Sequence, residues 1–199
     1  MRYGEKWPVY AKQWDAMKIN ASRKTEFGVL AKRLLNNKGE YVRIEEGTAH
    51  DELGAIGQGV PWYMIAVLHL RESDADFKTY LGNGESLSRV TRLVPKGRGP
   101  FRSFYDGAMD ALNVDGLSAI LDWRLGKILY YCELFNGAGY HNRGLPSPYI
   151  WGGTNQQKKG KYVADGKWSG TVMDTQPGCA PILSVLAELD DTIMFTRET

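Results

Sequence analysis

Cysteine and histidine are scarce in this chain, charge is nearly balanced, and no apolar run is long. Two cysteines, Cys132 and Cys179, cannot build the disulfide framework of a small secreted domain; a single disulfide between them and two buried free thiols are both open, with the free thiols favoured. The three histidines, His50, His69 and His141, stand at no metal-ligand spacing, and the cysteines form no Cys-x-x-Cys pair, so no metal site is expected. The glycines of "GNG" and "WGG" lack the flanks of a phosphate loop, and no cofactor is expected either. No segment reaches the roughly 20 apolar residues that a membrane-spanning helix needs, which argues against membrane insertion. The N-terminus, "MRYGEKWPVYAKQWDAMK", is charged throughout and lacks the apolar core of a signal peptide, so synthesis in a cytoplasm is the expectation. With 25 Lys and Arg against 23 Asp and Glu, the net charge of +2 gives no reason to expect a nucleic-acid partner.

What is present is ordinary globular composition, 43% hydrophobic and 24% charged, in 199 residues, a length that fits one domain with a filled core. From Arg23 to Asn37, Phe27, Leu30, Ala31 and Leu34 fall at i, i+3, i+4 and i+7, the pattern of an amphipathic helix closed by "NNKG". A short helix over Glu40 to Glu46 leads into the glycine-bearing loop "GTAHDELGAIGQG". Pro61 suits a first helical position, and Trp62 to Leu68 is apolar all round, which places that helix at the centre of the molecule. "YLGNGESL" is turn chemistry, and Leu87, Val90 and Leu93 approximate alternation, so Tyr80 to Val94 reads as a small hairpin or ribbon. Ser103 is positioned to cap a helix reaching about Asp110. Asp122 to Phe135 carries Leu125, Ile128, Leu129, Cys132 and Phe135 on one face and ends at "NGAG". Tyr140 to Met173 is loop-rich, and a last helix covers Pro181 to Leu189. The fold class expected is α+β, mainly α.

The core helix stops on Arg71-Glu72-Ser73-Asp74. Burial and the negative end of the helix dipole both disfavour a charged carboxylate at Glu72, and a carboxylic acid that keeps its proton near neutral pH is a general acid. A solvated helix end, with Arg71 paired to an acid, explains the same four residues, and the pattern alone leaves both readings open. His69, one turn back on the same side, would either orient Glu72 or be a hydrogen-bonded core histidine. A nucleophile pairing Cys132 with His69 or His141 is disfavoured, because Cys132 sits on an apolar helix face.

The ordered set "VPWYMIAVLHLRES", "YLGNGESL", "LFNGAGY", "SPYIWGG" and "GKYVADGKW" resembles the lysozyme superfamily, in particular the lysozyme-like proteins of bacteriophages and prophages, over about Val60 to Leu189. In goose-type lysozymes and soluble lytic transglycosylases a central helix ends in Glu-Ser, here Glu72-Ser73. A later helix ends in a Tyr-Asn-x-Gly-like motif, here Phe135-Asn136-Gly137-Ala138-Gly139. The resemblance implies a lysozyme-like fold, with a central buried helix beside a small β-ribbon. It implies one catalytic domain over 1–199, with 1–58 an N-terminal helical part and 59–199 the catalytic core. It also implies a cofactor-free monomer that cleaves the β-1,4 bond between N-acetylmuramic acid and N-acetylglucosamine in peptidoglycan glycan strands, Glu72 protonating the glycosidic oxygen. Ser73 would fix local backbone or bond a sugar or, alternatively, serve only as a helix-end hydroxyl. Asn136 would hold an acetamido group or, alternatively, cap its helix in the left-handed conformation. Tyr162 would lie near the acid or simply pack on the surface. Two departures stand out: no Gly-Leu-Met-Gln-type segment follows Glu72, and Phe135 replaces the usual tyrosine.

Inverting and retaining hydrolases need a second carboxylate. Glu85, in "GNGESL", is the best candidate; Asp74 and Asp76 follow Glu72 too closely to face it across a sugar. Without Glu85, a substrate-assisted route or a single-acid transglycosylase is preferred. Trp151, Tyr149 and Tyr140 are candidates for stacking on sugar rings, and Lys158, Lys159 and Lys161 for meeting an anionic wall. The absent signal peptide fits an endolysin that waits for a holin to open the membrane. Activity on chitin or chitosan, or a glycan-binding module without catalysis, are the rival readings.

Overall fold

The computed structural model describes residues 7–49, 57–164 and 166–197. The first helix, α1 (Trp7–Asp15), carries Trp7, Tyr10, Ala11 and Trp14 at i, i+3, i+4 and i+7 and buries Tyr10 and Ala11. After it come α2 (Lys24–Asn36), α3 (Lys38–Thr48), α4 (Trp62–Ser73), α5 (Phe104–Val114) and α6 (Leu125–Asn136). Two single-turn helices, α7 (Gly139–Asn142) and α8 (Pro148–Trp151), precede strands β1 (Lys161–Ala164) and β2 (Lys167–Ser169), and α9 (Cys179–Leu189) follows. About 51% of the chain is helical and the sheet has two short antiparallel strands, so the class is α+β, mainly α, as expected. Among the described residues no helix is long and apolar enough to cross a membrane.

The chain forms two compact units. Residues up to Lys32 join those from Arg124 onward in the first unit, and Arg33–Trp123 make the second. Long-range backbone pairing explains why the N-terminal segment belongs with the C-terminal third. Asn20 N–H donates to the Gly153 carbonyl at 3.0 Å, and Asn155 N–H donates to the Lys18 carbonyl at 3.0 Å. Lys18 N–H in turn donates to Asn155 Oδ1 at 2.7 Å. No local pattern announces such pairing.

In the first unit α6 is the hub, touched by α1, α8 and α9. Its core includes Leu125, Ile128, Leu129 and Cys132 of α6 with Ile182, Leu183 and Leu186 of α9. In the second unit α3 packs against both α4 and α5. Met64, Ile65, Ala66, Val67 and Leu68 of α4 are fully buried, as a helix without a polar stripe requires. Each of the larger of these side chains contributes about 1.5–3 kcal/mol by leaving water, so the position of α4 is strongly determined. Ser103 caps α5 as expected, its Oγ accepting from Asp106 N–H at 3.1 Å.

The β element is not where alternation put it. Between Tyr80 and Val94 the structure has one isolated bridge, Thr79 to Ser86, followed by turns; the sheet is β1–β2, in the stretch read as loop. Val90, Leu93 and Val94 are 51%, 59% and 77% exposed, so the apparent alternation buries little beyond Leu87. Side chains take the place of a partner strand. Arg92 and Leu93 N–H both donate to Glu85 Oε2, and Arg98 N–H donates to Thr91 Oγ1. The β1–β2 hairpin pairs Tyr162 with Trp168, rings 5.1 Å apart.

Candidate functional site

In the second unit, α4 delivers Glu72 and Ser73 on its last turn, both partly buried. The helix ends abruptly because Asp74 and Ala75 are both left-handed, with φ of 54° and 57°. Arg33 holds Asp74 by a two-pronged ion pair, and Ala75 N–H closes back on the His69 carbonyl at 3.1 Å. Ser73 Oγ also donates to that carbonyl, at 3.4 Å, so its role here is that of a helix-end hydroxyl. Arg71 is only 8% exposed, whereas Asp74 is exposed and Glu72 and Ser73 are half-buried, so the helix end is enclosed on one side and open to water on the other.

The turn after α4 lies directly on it. Gly84 has a φ of +73°, and a Cβ there would come within 2.7 Å of the Glu72 carbonyl oxygen, so only glycine lets the two backbones meet. Gly84 N–H donates to the Tyr80 carbonyl at 2.8 Å, and the Tyr80 hydroxyl donates to Asp110 Oδ2 of α5 at 2.9 Å. Arg98 pairs with the same carboxylate and holds its pKa below the usual carboxylate range. Glu72 therefore sits beneath a loop tied at both ends.

Glu85 is partly buried in this loop, and one of its oxygens shapes it. Oε2 accepts from Arg92 N–H at 2.8 Å, Leu93 N–H at 2.8 Å and Asn83 Nδ2 at 3.3 Å. That engagement is a structural task, and the expected role of second catalytic carboxylate gains nothing from it. Asp76 likewise accepts from Lys78 N–H at 3.0 Å and is exposed.

His69 does not orient Glu72. It is fully buried, stacked on Phe104 at 4.1 Å with Phe77 edge-on at 4.8 Å, and its Nδ1 meets the Tyr41 hydroxyl at 3.1 Å. Burial lowers its pKa to about 4, against a weaker opposing pull from Asp76 beside the ring. It is a neutral core histidine. His50 lies outside the described residues, and among those residues no cluster of three His, Cys, Asp or Glu could hold a metal.

In the first unit, Asn136 is the exposed last residue of α6, and Gly137, at φ +92°, carries the turn that follows. The left-handed cap considered for Asn136 is therefore not its role. Beside it the rings of Tyr140, Tyr162 and Trp168 meet edge-to-face at 5.1–5.6 Å. Tyr162 packs on the helix end so closely that a Cβ on Gly139 would lie 2.9 Å from its ring. Its hydroxyl donates to the Gly139 carbonyl at 3.4 Å and accepts from Arg143 Nε at 3.0 Å. The guanidinium of Arg143 lies 4.4 Å from the centre of the Trp168 ring.

Three aromatics proposed to stack on sugars are corrected by their burial. Trp151 is fully buried against Tyr10, with ring centres 6.4 Å apart, and Tyr149 and Tyr140 are 2% and 7% exposed. Rings so enclosed cannot offer a face to a soluble glycan. Sequence reasoning missed Trp168 and Arg143, although the Asp-Gly turn between Tyr162 and Trp168 was a legible hairpin signal. Of the basic run, Lys158 and Lys159 are exposed, and Lys161 pairs with the buried Asp174 at 3.1 Å.

Cys132 and Cys179 are free and buried, as expected; burial pushes the Cys132 thiol well up, and its neighbour Cys179 adds to the effect. A cavity of about 210 Å³ in the first unit is lined by Tyr10, Gln13, Glu133, Leu145, Ser147 and Trp151, among others. Among the sequence-derived candidates only Trp151 borders it. Comparison with protein-family models, curated proteins and solved structures returns no match.

Proposed function

We propose that the chain is a glycosidase that cleaves peptidoglycan glycan strands, with Glu72 as the general acid. The observation that carries this reading is the placement of Glu72: the last turn of a core helix whose Trp62–Leu68 run is apolar, partly buried, under a glycine turn pressed against its own carbonyl. Such firm seating of the Glu72 main chain at the end of a core helix suits transfer of a proton to a leaving oxygen, because it fixes the base of the acid's side chain relative to a bound strand. The resemblance of Glu72-Ser73 and of the Asn136-Gly137 motif to lysozyme-type sequences supplies the substrate: the bond between N-acetylmuramic acid and N-acetylglucosamine. Release from the host cytoplasm through a holin-made opening belongs to the same reading.

The state of Glu85 favours one variant of the chemistry. With Oε2 engaged by two backbone N–H groups, the single-acid route is preferred over two-carboxylate hydrolysis. In that route Glu72 gives its proton to the glycosidic oxygen as the C1–O bond breaks. The C6 hydroxyl of the same muramic acid then bonds to C1 and returns a proton to Glu72, leaving a 1,6-anhydro end and consuming no water. Turbidity of purified cell walls tests the acid: Glu72→Gln is expected to slow clearing by about 10²–10⁴-fold. Mass spectrometry of the released fragments separates the two routes, whose products differ by one water. Clearing by Glu72→Gln at the parental rate removes Glu72 from the reaction. Absence of clearing by either protein, with retained wall binding, favours a glycan-binding module, and clearing of chitin in place of walls redirects the substrate.

A further inference from the structure

Arg143 is exposed, yet its guanidinium is held in place. Nε donates to the Tyr162 hydroxyl at 3.0 Å, and Cζ lies 4.4 Å from the centre of the Trp168 ring and 5.3 Å from that of Tyr162. Tyr162 is itself fixed, since its ring rests on Gly139 and its hydroxyl donates to the Gly139 carbonyl. Trp168 is fixed by pairing across the hairpin and by its edge-to-face contact with Tyr140. An exposed arginine ordinarily wanders over many rotamers or closes on a carboxylate. Here aromatic groups do the holding, and among the described residues no carboxylate pairs with it. The rings lie beside the guanidinium and Tyr162 takes one of its five N–H groups, while no carboxylate among the described residues neutralises the positive charge.

We infer that Arg143, seated on Trp168 and Tyr162, is a binding site for an oxyanion carried by the bacterial wall. A fork of donors oriented in advance recognises a carboxylate or a phosphate with two parallel hydrogen bonds, and pre-orientation lowers the entropic cost of doing so. Two wall groups present that chemistry: the carboxylates of the lactyl-peptide arms, and the phosphodiesters of teichoic polymers. The inference rests on the proposed glycan-cleaving function for its choice of substrate, and it gives Arg143 the part of telling an anionic wall from neutral chitin. Tyr162 becomes a positioning residue for Arg143, which accounts for the engagement of its hydroxyl.

Binding is measured with the Glu72→Gln protein, so that no cleavage occurs, on three matrices: intact walls, walls stripped of teichoic polymer with hydrofluoric acid, and chitin beads. A fourth is stripped wall whose carboxylates have been amidated with a carbodiimide. Adding Arg143→Gln is expected to weaken wall binding about tenfold, to flatten its salt dependence, and to leave chitin binding unchanged. Arg143→Lys should recover part of the loss, and Tyr162→Phe should show a smaller loss with the chain still folded by circular dichroism. If amidation removes the Arg143-dependent part, the oxyanion is a carboxylate; if stripping removes it, the oxyanion is a phosphate. Equal binding of every wall by the parent and Arg143→Gln proteins overturns the inference, as does an equal loss on chitin. Clearing of walls by wild type without any dependence on Arg143 would leave the glycosidase reading standing and sink this one; Arg143-dependent binding without clearing would do the reverse.

Discussion

Acid should weaken the second unit through His69, and the size of the effect follows from its surroundings. The imidazole is enclosed by Phe104, Phe77 and Tyr41, and burial holds its pKa near 4. In the unfolded chain the same group takes a proton as the pH falls through about 6.5. Between those two values the unfolded state binds more protons than the folded state, so stability must fall as the pH falls. The contribution is complete above about 6.5, declines through the window, and is lost near 4, below which both states carry the proton. At about 1.4 kcal/mol per pH unit, a window of about two and a half units withdraws about 3 kcal/mol. With a urea dependence of about 2 kcal/mol per molar, the unfolding midpoint moves down by about 1.5 M. Carboxylates titrate in the same range, so the measurement compares wild type with His69→Phe, which keeps an aromatic ring and cannot titrate. The variant should be less stable at pH 7, because the Tyr41 hydroxyl loses its hydrogen-bond partner, but its stability should fall less steeply with acid. Parallel stability profiles for the two proteins between pH 6.5 and 4 would refute the argument.

Gly84→Ala should lower stability by at least about 1–2 kcal/mol, the cost of a side chain at positive φ, with the contact on the Glu72 carbonyl adding to it. Wall clearing should fall further than stability alone explains, as a kinetic comparison with Ser103→Ala, each corrected for its folded fraction, would show. Ser103→Ala itself removes the cap of α5 and should cost about 1 kcal/mol in urea unfolding, with clearing unchanged after correction for the folded fraction. Glu85→Gln, which keeps an acceptor oxygen for Arg92 and Leu93, should clear walls within a few-fold of wild type, whereas Glu85→Ala should lose about 1–3 kcal/mol of stability. A Glu85→Gln protein as inactive as Glu72→Gln would restore Glu85 to the chemistry. Cys132 and Cys179 should resist thiol reagents in the native protein and react once it is unfolded in urea.

Local sequence patterns by themselves marked several of the helices, though not the single-turn α7 and α8, which fall in the stretch read as loop. Phe27, Leu30, Ala31 and Leu34 marked α2, the polar-free run from Trp62 marked α4 as core, and Ser103 marked the start of α5, because helix burial repeats within a few residues and leaves a local record. The same record was present in Trp7, Tyr10, Ala11 and Trp14, which α1 displays as a helix. The position of Glu72 at the end of a buried helix was equally legible, since it depends only on where the apolar run stops.

Tertiary structure alone decided which neighbours those elements meet. Alternation at Leu87, Val90 and Leu93 suggested a strand, but the backbone donors there found the Glu85 side chain instead, and only the assembled loop makes that choice. Aromatic content named Trp151 and Tyr140 as sugar platforms, and packing buried both while leaving Arg143 exposed on Trp168, a partnership across 25 residues that no local pattern encodes. Hydrophobic spacing records which face of an element turns inward, whereas the identity of what it meets is set by contacts distant in the chain.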